Sequence, residues 1–133
     1  MEPKPIRVLI VDDYAEVRKI FARGLSRAGM QTCEAADVQE ALVMASWARP
    51  DVVLLDLFLW GKSGLEVARA LRANPAGVPV IAMSGHANVE DVRARASEAG
   101  CADFVRKPCD PGDLVAAIEV VLARRASELV AAQ

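Results

Sequence analysis

The chain has 133 residues, 53% of them hydrophobic and 26% charged, with 16 basic against 18 acidic residues and a net charge of −2. That length suits one domain with a core of its own, and the charge balance excludes an electrostatic case for nucleic acid or an anionic membrane as partner. Cys33, Cys101 and Cys109 fit no metal or C-x-x-C spacing, the start "MEPKPIRVLI" has no signal-peptide pattern, and no apolar run reaches the roughly 18 residues of a membrane span, so the chain reads as soluble, reduced and cytoplasmic.

Residues 1–5 read as an N-terminal tail, 6–125 as the domain, and 126–133 as a helical extension or tail. "IRVLIV" (6–11) is a short apolar, β-branched run and predicts a buried strand. Val17, Ile20, Phe21, Gly24, Leu25 and Ala28 then recur at helical spacing, and Gly29 supplies a stop. "MQTCEA" (30–35) is a weaker strand. Asp37 caps a second helix with Ala41, Leu42 and Ala45 on one face, and Pro50 ends it. "DVVLLD" (51–56) is the third strand, followed by an apolar loop from Leu57 to Trp60.

"SGLE" (63–66) has capping-box spacing and opens a helix through Leu65, Ala68 and Leu71. "VPVIAMS" (78–84) is the fourth strand. Asn88 caps a helix that closes at Gly100, and "ADFV" (102–105) is the fifth strand. "DPGD" (110–113) starts the last helix, whose face is Leu114, Ala117, Ile118, Val121 and Leu122. Five strands thus alternate with five helices. The strands at 6–11, 51–55 and 78–83 are apolar throughout, as parallel strands covered on both faces are. The fold class is α/β: a doubly wound, five-stranded parallel sheet with helices on both faces.

Ligands of such open sheets bind past the carboxyl ends of the strands. Asp12 and Asp13 follow the first strand, Asp56 ends the third, Ser84 ends the fourth, and Lys107 follows the fifth. A carboxylate inside an apolar run is costly to bury unless it is paired, and an exit position toward a shared crevice explains Asp56. Asp12 and Asp13 also suit the start of a helix on their own. Three clustered carboxylates raise one another's pKa, and a hard divalent cation such as Mg²⁺ relieves them. With one such ion and the Lys107 ammonium, the charge of the group comes to about zero. An incoming phosphoryl group adds roughly −1.5 to −2.

The set "VDD" (11–13), "LLDL" (54–57), "MSG" (83–85) and "RKP" (106–108) resembles the receiver domain of two-component response regulators, over about Ile6 to Arg125. The likeness is to the single-domain chemotaxis type and implies a flavodoxin-like (βα)5 fold. It implies that Asp56 accepts a phosphoryl group from a sensor histidine kinase or phosphotransfer protein. Asp12, Asp13, Asp56 and the Phe58 backbone carbonyl would hold Mg²⁺, or Mn²⁺ in its place. Lys107 would pair with the phosphate, Ser84 would bond a phosphoryl oxygen and move toward it, and Phe104 would be the aromatic switch. The Lys107–Pro108 bond would be cis. Output would run through 88–99, 102–105 and the last helix to a downstream protein, with a phosphorylation-linked homodimer as one compatible form. No DNA-binding or membrane-inserting module is implied.

The sequence departs from the family pattern at Trp60, where proline is usual, and Phe58 is bulky for a site rim. Both are expected to hinder attacking water and prolong the acyl phosphate. His86, two residues after Ser84, reads as solvent-exposed. A Mg²⁺-dependent aspartyl phosphohydrolase is the alternative, but it would want a general acid two residues after its nucleophile, and Phe58 stands there. A flavin carrier would want a phosphate-cradling loop where "DDYAE" stands.

Overall fold

The computed structural model describes residues 3–59, 62–73, 77–85 and 88–132. Strands β1 (Arg7–Val11), β2 (Gln31–Ala35), β3 (Val52–Asp56), β6 (Val80–Ser84) and β7 (Asp103–Arg106) form one parallel sheet in the order β2-β1-β3-β6-β7. The intervening elements are α1 (Ala15–Arg27), α2 (Val38–Ala48), the strand pair β4 (Phe58–Leu59) and β5 (Lys62–Ser63), α3 (Leu65–Ala73), α4 (Val89–Glu98) and α5 (Pro111–Ala131). The doubly wound sheet is therefore as expected.

Side chains alternate across the sheet and fill two cores. On one face Leu9, Val11, Val53, Leu55, Val80 and Ala82 meet Ala41 and Ala45 of α2, Val67, Ala68 and Leu71 of α3, and Ala96 of α4. On the other, Val8, Ile10, Val52, Leu54, Ile81 and Met83 meet Phe21 and Leu25 of α1 and Leu114, Ile118 and Val121 of α5. Apart from Arg7 at the start of β1 and the exit residues Asp56 and Ser84, the central strands are apolar throughout, because both of their faces are covered. Edge strand β2 runs from exposed Gln31 through half-buried Thr32, Cys33 and Glu34 to buried Ala35, which explains its mixed sequence.

The helix starts follow the polar signals. Asp37 accepts the Glu40 N–H at 2.8 Å, Asn88 accepts the Asp91 N–H at 3.2 Å, and Asp110 and Asp113 form a reciprocal capping box. The capping box expected at Ser63 falls on a side chain outside the described residues. Residues 126–131 continue α5 as helix.

Three expectations need correction. Phe58–Leu59 is not loop but pairs antiparallel with Lys62–Ser63, which gives backbone groups beyond the sheet edge their partners. Ile20 is 57% exposed and Leu42 38% exposed, so neither lies on its helix's core face. In α1 the buried strip is narrower than the sequence period suggests, centred on the i, i+4 pair Phe21 and Leu25. In α2 only the alanines Ala41 and Ala45 are buried, and the larger side chains are half-buried or exposed.

The cysteines are all free and half-buried, and burial pushes the Cys101 thiol up to about 11. A thiol held there is a weak nucleophile at neutral pH, in keeping with a packing role.

Candidate functional site

Parallel strands deliver their carboxyl ends to one edge, and the register makes this exact in space: Val11 pairs with Leu55, Asp56 with Met83, and Ser84 with Arg106. Among the described residues the buried polar ones are Asp12 at 0% exposure, Ser84 at 3% and Asp56 at 7%. Asp12, Asp13 and Asp56 each offer a carboxylate oxygen, and these atoms lie within 4.8 Å of one another.

Lys107 closes the cluster. Its ammonium donates to Asp12 Oδ2 at 2.8 Å and to Asp56 Oδ2 at 3.3 Å. Its backbone N–H donates to the Ser84 carbonyl at 2.9 Å, so the lysine is anchored to the end of β6. The Lys107–Pro108 peptide is cis, as expected. The other Asp12 oxygen accepts the Tyr14 N–H at 2.9 Å, and Asp56 Oδ1 accepts the Phe58 N–H at 3.0 Å. The N-cap of α1 is Tyr14, whose own side chain makes no cap bond.

The electrostatics follow from burial. Desolvation is the largest influence on Asp56 and pushes its carboxyl above the usual range, with Asp12 adding to the rise. The Phe58 N–H and the Lys107 charge oppose this without cancelling it. Burial is also the largest single influence on Lys107 and pulls it down, but the Asp12 hydrogen bond and the charges of Asp56 and Asp12 together leave it raised. The lysine thus stays charged between two carboxylates.

An all-oxygen donor set of three carboxylates fits a hard divalent cation rather than a soft one. Gly64 shapes the floor: a Cβ there would lie 2.8 Å from the Asp56 carbonyl oxygen and 3.0 Å from Leu57 Cα. Phe58 is 51% exposed, as a rim residue would be. A cleft of about 250 Å³ opens between Leu57, Phe58 and Leu65 on one side and Asp91, Val92 and Arg95 of α4 on the other, with Ser84 and Asn88 in its wall. Trp60 and His86 lie outside the described residues.

Residues 8–119 match the family described as the response regulator receiver domain. The chain belongs to that family. As a receiver it is 40% identical over 121 residues to the transcriptional regulatory protein PrrA of Mycobacterium tuberculosis, covering 91% of this chain and 52% of PrrA. It is 37% identical over 119 residues to the phosphate regulon transcriptional regulatory protein PhoB of Pseudomonas aeruginosa, covering 88% of this chain and 52% of PhoB. The chain thus spans about half the length of these curated relatives. Among solved structures, the chemotaxis response regulator CheY4 of Vibrio cholerae superposes with a TM-score of 0.81 at 28% identity, over 89% of this chain and 99% of that one.

Two features of this receiver were not read from the sequence. The Arg93 guanidinium lies over the Phe104 ring, 5.1 Å from its centroid, and Phe104 is buried. Arg18 donates to the Asp12 backbone carbonyl at 2.6 Å and to Glu34 Oε1 at 3.2 Å. Neither arginine stands out among 16 basic residues; only the position of Arg18 one turn beyond the acidic pair could have drawn notice.

Proposed function

We propose that this receiver is a phosphorylation switch in which Asp56 accepts a phosphoryl group from a sensor histidine kinase or phosphotransfer protein in the cytoplasm. The single observation that carries the reading is the convergence on Asp56: a lysine at 3.3 Å, and two further carboxylates within 4.8 Å.

A nucleophile must be ionised and oriented. Lys107 keeps charge beside Asp56, and the Phe58 N–H fixes Asp56 Oδ1, leaving Oδ2 on the Lys107 side. In the transfer, an Asp56 carboxylate oxygen forms a bond to phosphorus as the donor's phosphorus–nitrogen bond breaks, and the electron pair leaves with the donor imidazole. Asp12, Asp13 and Asp56, with the Phe58 carbonyl, would hold Mg²⁺ or Mn²⁺. Such an ion, when bound, supplies positive charge against the phosphoryl oxygens. Lys107 supplies the remaining charge, and the Ser84 hydroxyl at the end of β6 donates to a phosphoryl oxygen.

The phosphorylated site carries more negative charge than the free one, and that difference biases Ser84 and Phe104. Phe104 packs in the same core as Ala96 and Ala99 at the end of α4, so a change at its ring reaches the 88–99, 102–105 and α5 face that would meet a downstream protein or a second receiver.

Beryllofluoride binding tests the reading. In Mg²⁺, calorimetry should show saturable binding to the wild type and none to Asp56→Asn. Equal binding by both would reject Asp56 as the acceptor.

A further inference from the structure

Asp12 is held at every polar group it has. Its N–H donates to the Ala35 carbonyl at 3.2 Å, its carboxylate accepts from Tyr14 N–H and Lys107, and its carbonyl accepts from Arg18 at 2.6 Å. The last bond matters most for Asp13, because the Asp12 carbonyl and the Asp13 N–H share one peptide plane. Rotating that plane swings the Asp13 side chain. Arg18 is itself fixed from behind by Glu34, on edge strand β2, at 3.2 Å, with Arg18 14% and Glu34 22% exposed. Lys19 holds the other Glu34 oxygen at 2.9 Å but is 64% exposed and touches nothing in the acidic cluster in these bonds.

We infer that Arg18, braced by Glu34, is a positioning residue for cation binding: it sets the Asp12–Asp13 peptide so that both carboxylates face Asp56. The inference rests on the reading of the cluster as a cation site. Its two-ended contact needs the planar fork of a guanidinium, which a lysine ammonium cannot reproduce. Groups behind metal ligands typically change affinity by tenfold or more when lost.

Charge and position make opposite demands here, which makes the idea testable. Removing a cation near the cluster should by Coulomb's law tighten Mg²⁺ binding, whereas loss of positioning should weaken it. Mg²⁺ affinity is measured by calorimetry on wild type, Arg18→Gln, Arg18→Lys, Glu34→Gln, Arg18→Gln/Glu34→Gln and Lys19→Gln, with circular dichroism melts in EDTA alongside. The expected result is about tenfold weaker Mg²⁺ binding for Arg18→Gln and clear weakening for charge-neutral Arg18→Lys. Glu34→Gln should weaken binding less, the double variant no more than Arg18→Gln alone, and Lys19→Gln should match the wild type.

A melt shift in EDTA with unchanged Mg²⁺ affinity would reduce Arg18 to a structural role and overturn the inference. So would binding by Arg18→Lys as tight as wild type, or by Arg18→Gln tighter. Should Arg18→Gln fail to fold, Arg18→Lys decides. Wild type that binds no Mg²⁺, or binds it equally after Asp13→Asn, would instead overturn the cation site itself.

Discussion

Lys107 and Asp56 lie 51 positions apart in the chain, and the lysine ammonium stands 3.3 Å from Asp56 Oδ2. The same ammonium is 2.8 Å from Asp12, which has no solvent exposure. One cation therefore balances two carboxylates that would otherwise repel each other.

Lys107→Met removes that cation. Breaking a buried pair from one side costs about 3–5 kcal/mol, and with Lys107 23% exposed the low end, about 3 kcal/mol, is expected in EDTA. Mg²⁺ affinity should rise, since a competing positive charge is gone. Urea melts and calorimetry check both. The pH dependence has a definite sign. The folded-state pKa of Lys107 is raised, so its contribution is fully present below the unfolded value of about 10.4 and is lost as pH rises through the folded value. The variant should lack that alkaline loss.

Asp56→Asn should be more stable than the wild type at neutral pH without metal. Burial raises the Asp56 pKa, so the folded state binds this proton more tightly than the unfolded state does. The ionised carboxylate then costs stability above the folded pKa, and the cost vanishes as pH falls below the unfolded value of about 3.9. The advantage of the asparagine should shrink on acidification. Thermal melts across pH in EDTA measure it; an advantage that grows toward acid would be the wrong sign.

Gly64→Ala should distort the site from beneath. The added methyl would meet backbone at 2.8 Å, which no flexible side chain can relieve. A loss of about 1–3 kcal/mol in a denaturant melt is expected, as for other overpacked positions. Amide shifts at Asp56 and Leu57 in NMR spectra should move with it.

Phe58→Asn should shorten the life of the phosphorylated protein. The ring is half-exposed two residues after Asp56, a position from which it would narrow the approach of water. Following the decay of the phosphorylated species by intact-mass spectrometry checks this; an unchanged half-life would remove Phe58 as a barrier.

Much of the fold was legible because its signals are continuous. Runs such as Val52–Leu55 and Val80–Met83 are apolar at every position, and every residue in them is buried. The chemical residues were legible for a related reason. Asp12, Asp56, Ser84 and Lys107 each stand at a strand exit, and parallel topology alone brings such exits together. The β4–β5 pair was not legible, since two-residue strands carry no period. Ile20 and Leu42 misled because helical spacing fixes a face only to within a residue or so of its centre. The Arg18–Glu34 brace depends on how α1 lies against β2, and no local pattern encodes a contact between a helix and an edge strand.

Phosphoryl incorporation reads the acceptor residue itself. The protein is incubated with a small-molecule phosphoryl donor, with Mg²⁺ or with EDTA, and the modified residue is located by peptide mass spectrometry after borohydride trapping. One label is expected, on Asp56, that requires Mg²⁺ and is lost in Asp56→Asn and Asp13→Asn. A label on another residue, or one that forms equally well in EDTA, would contradict it.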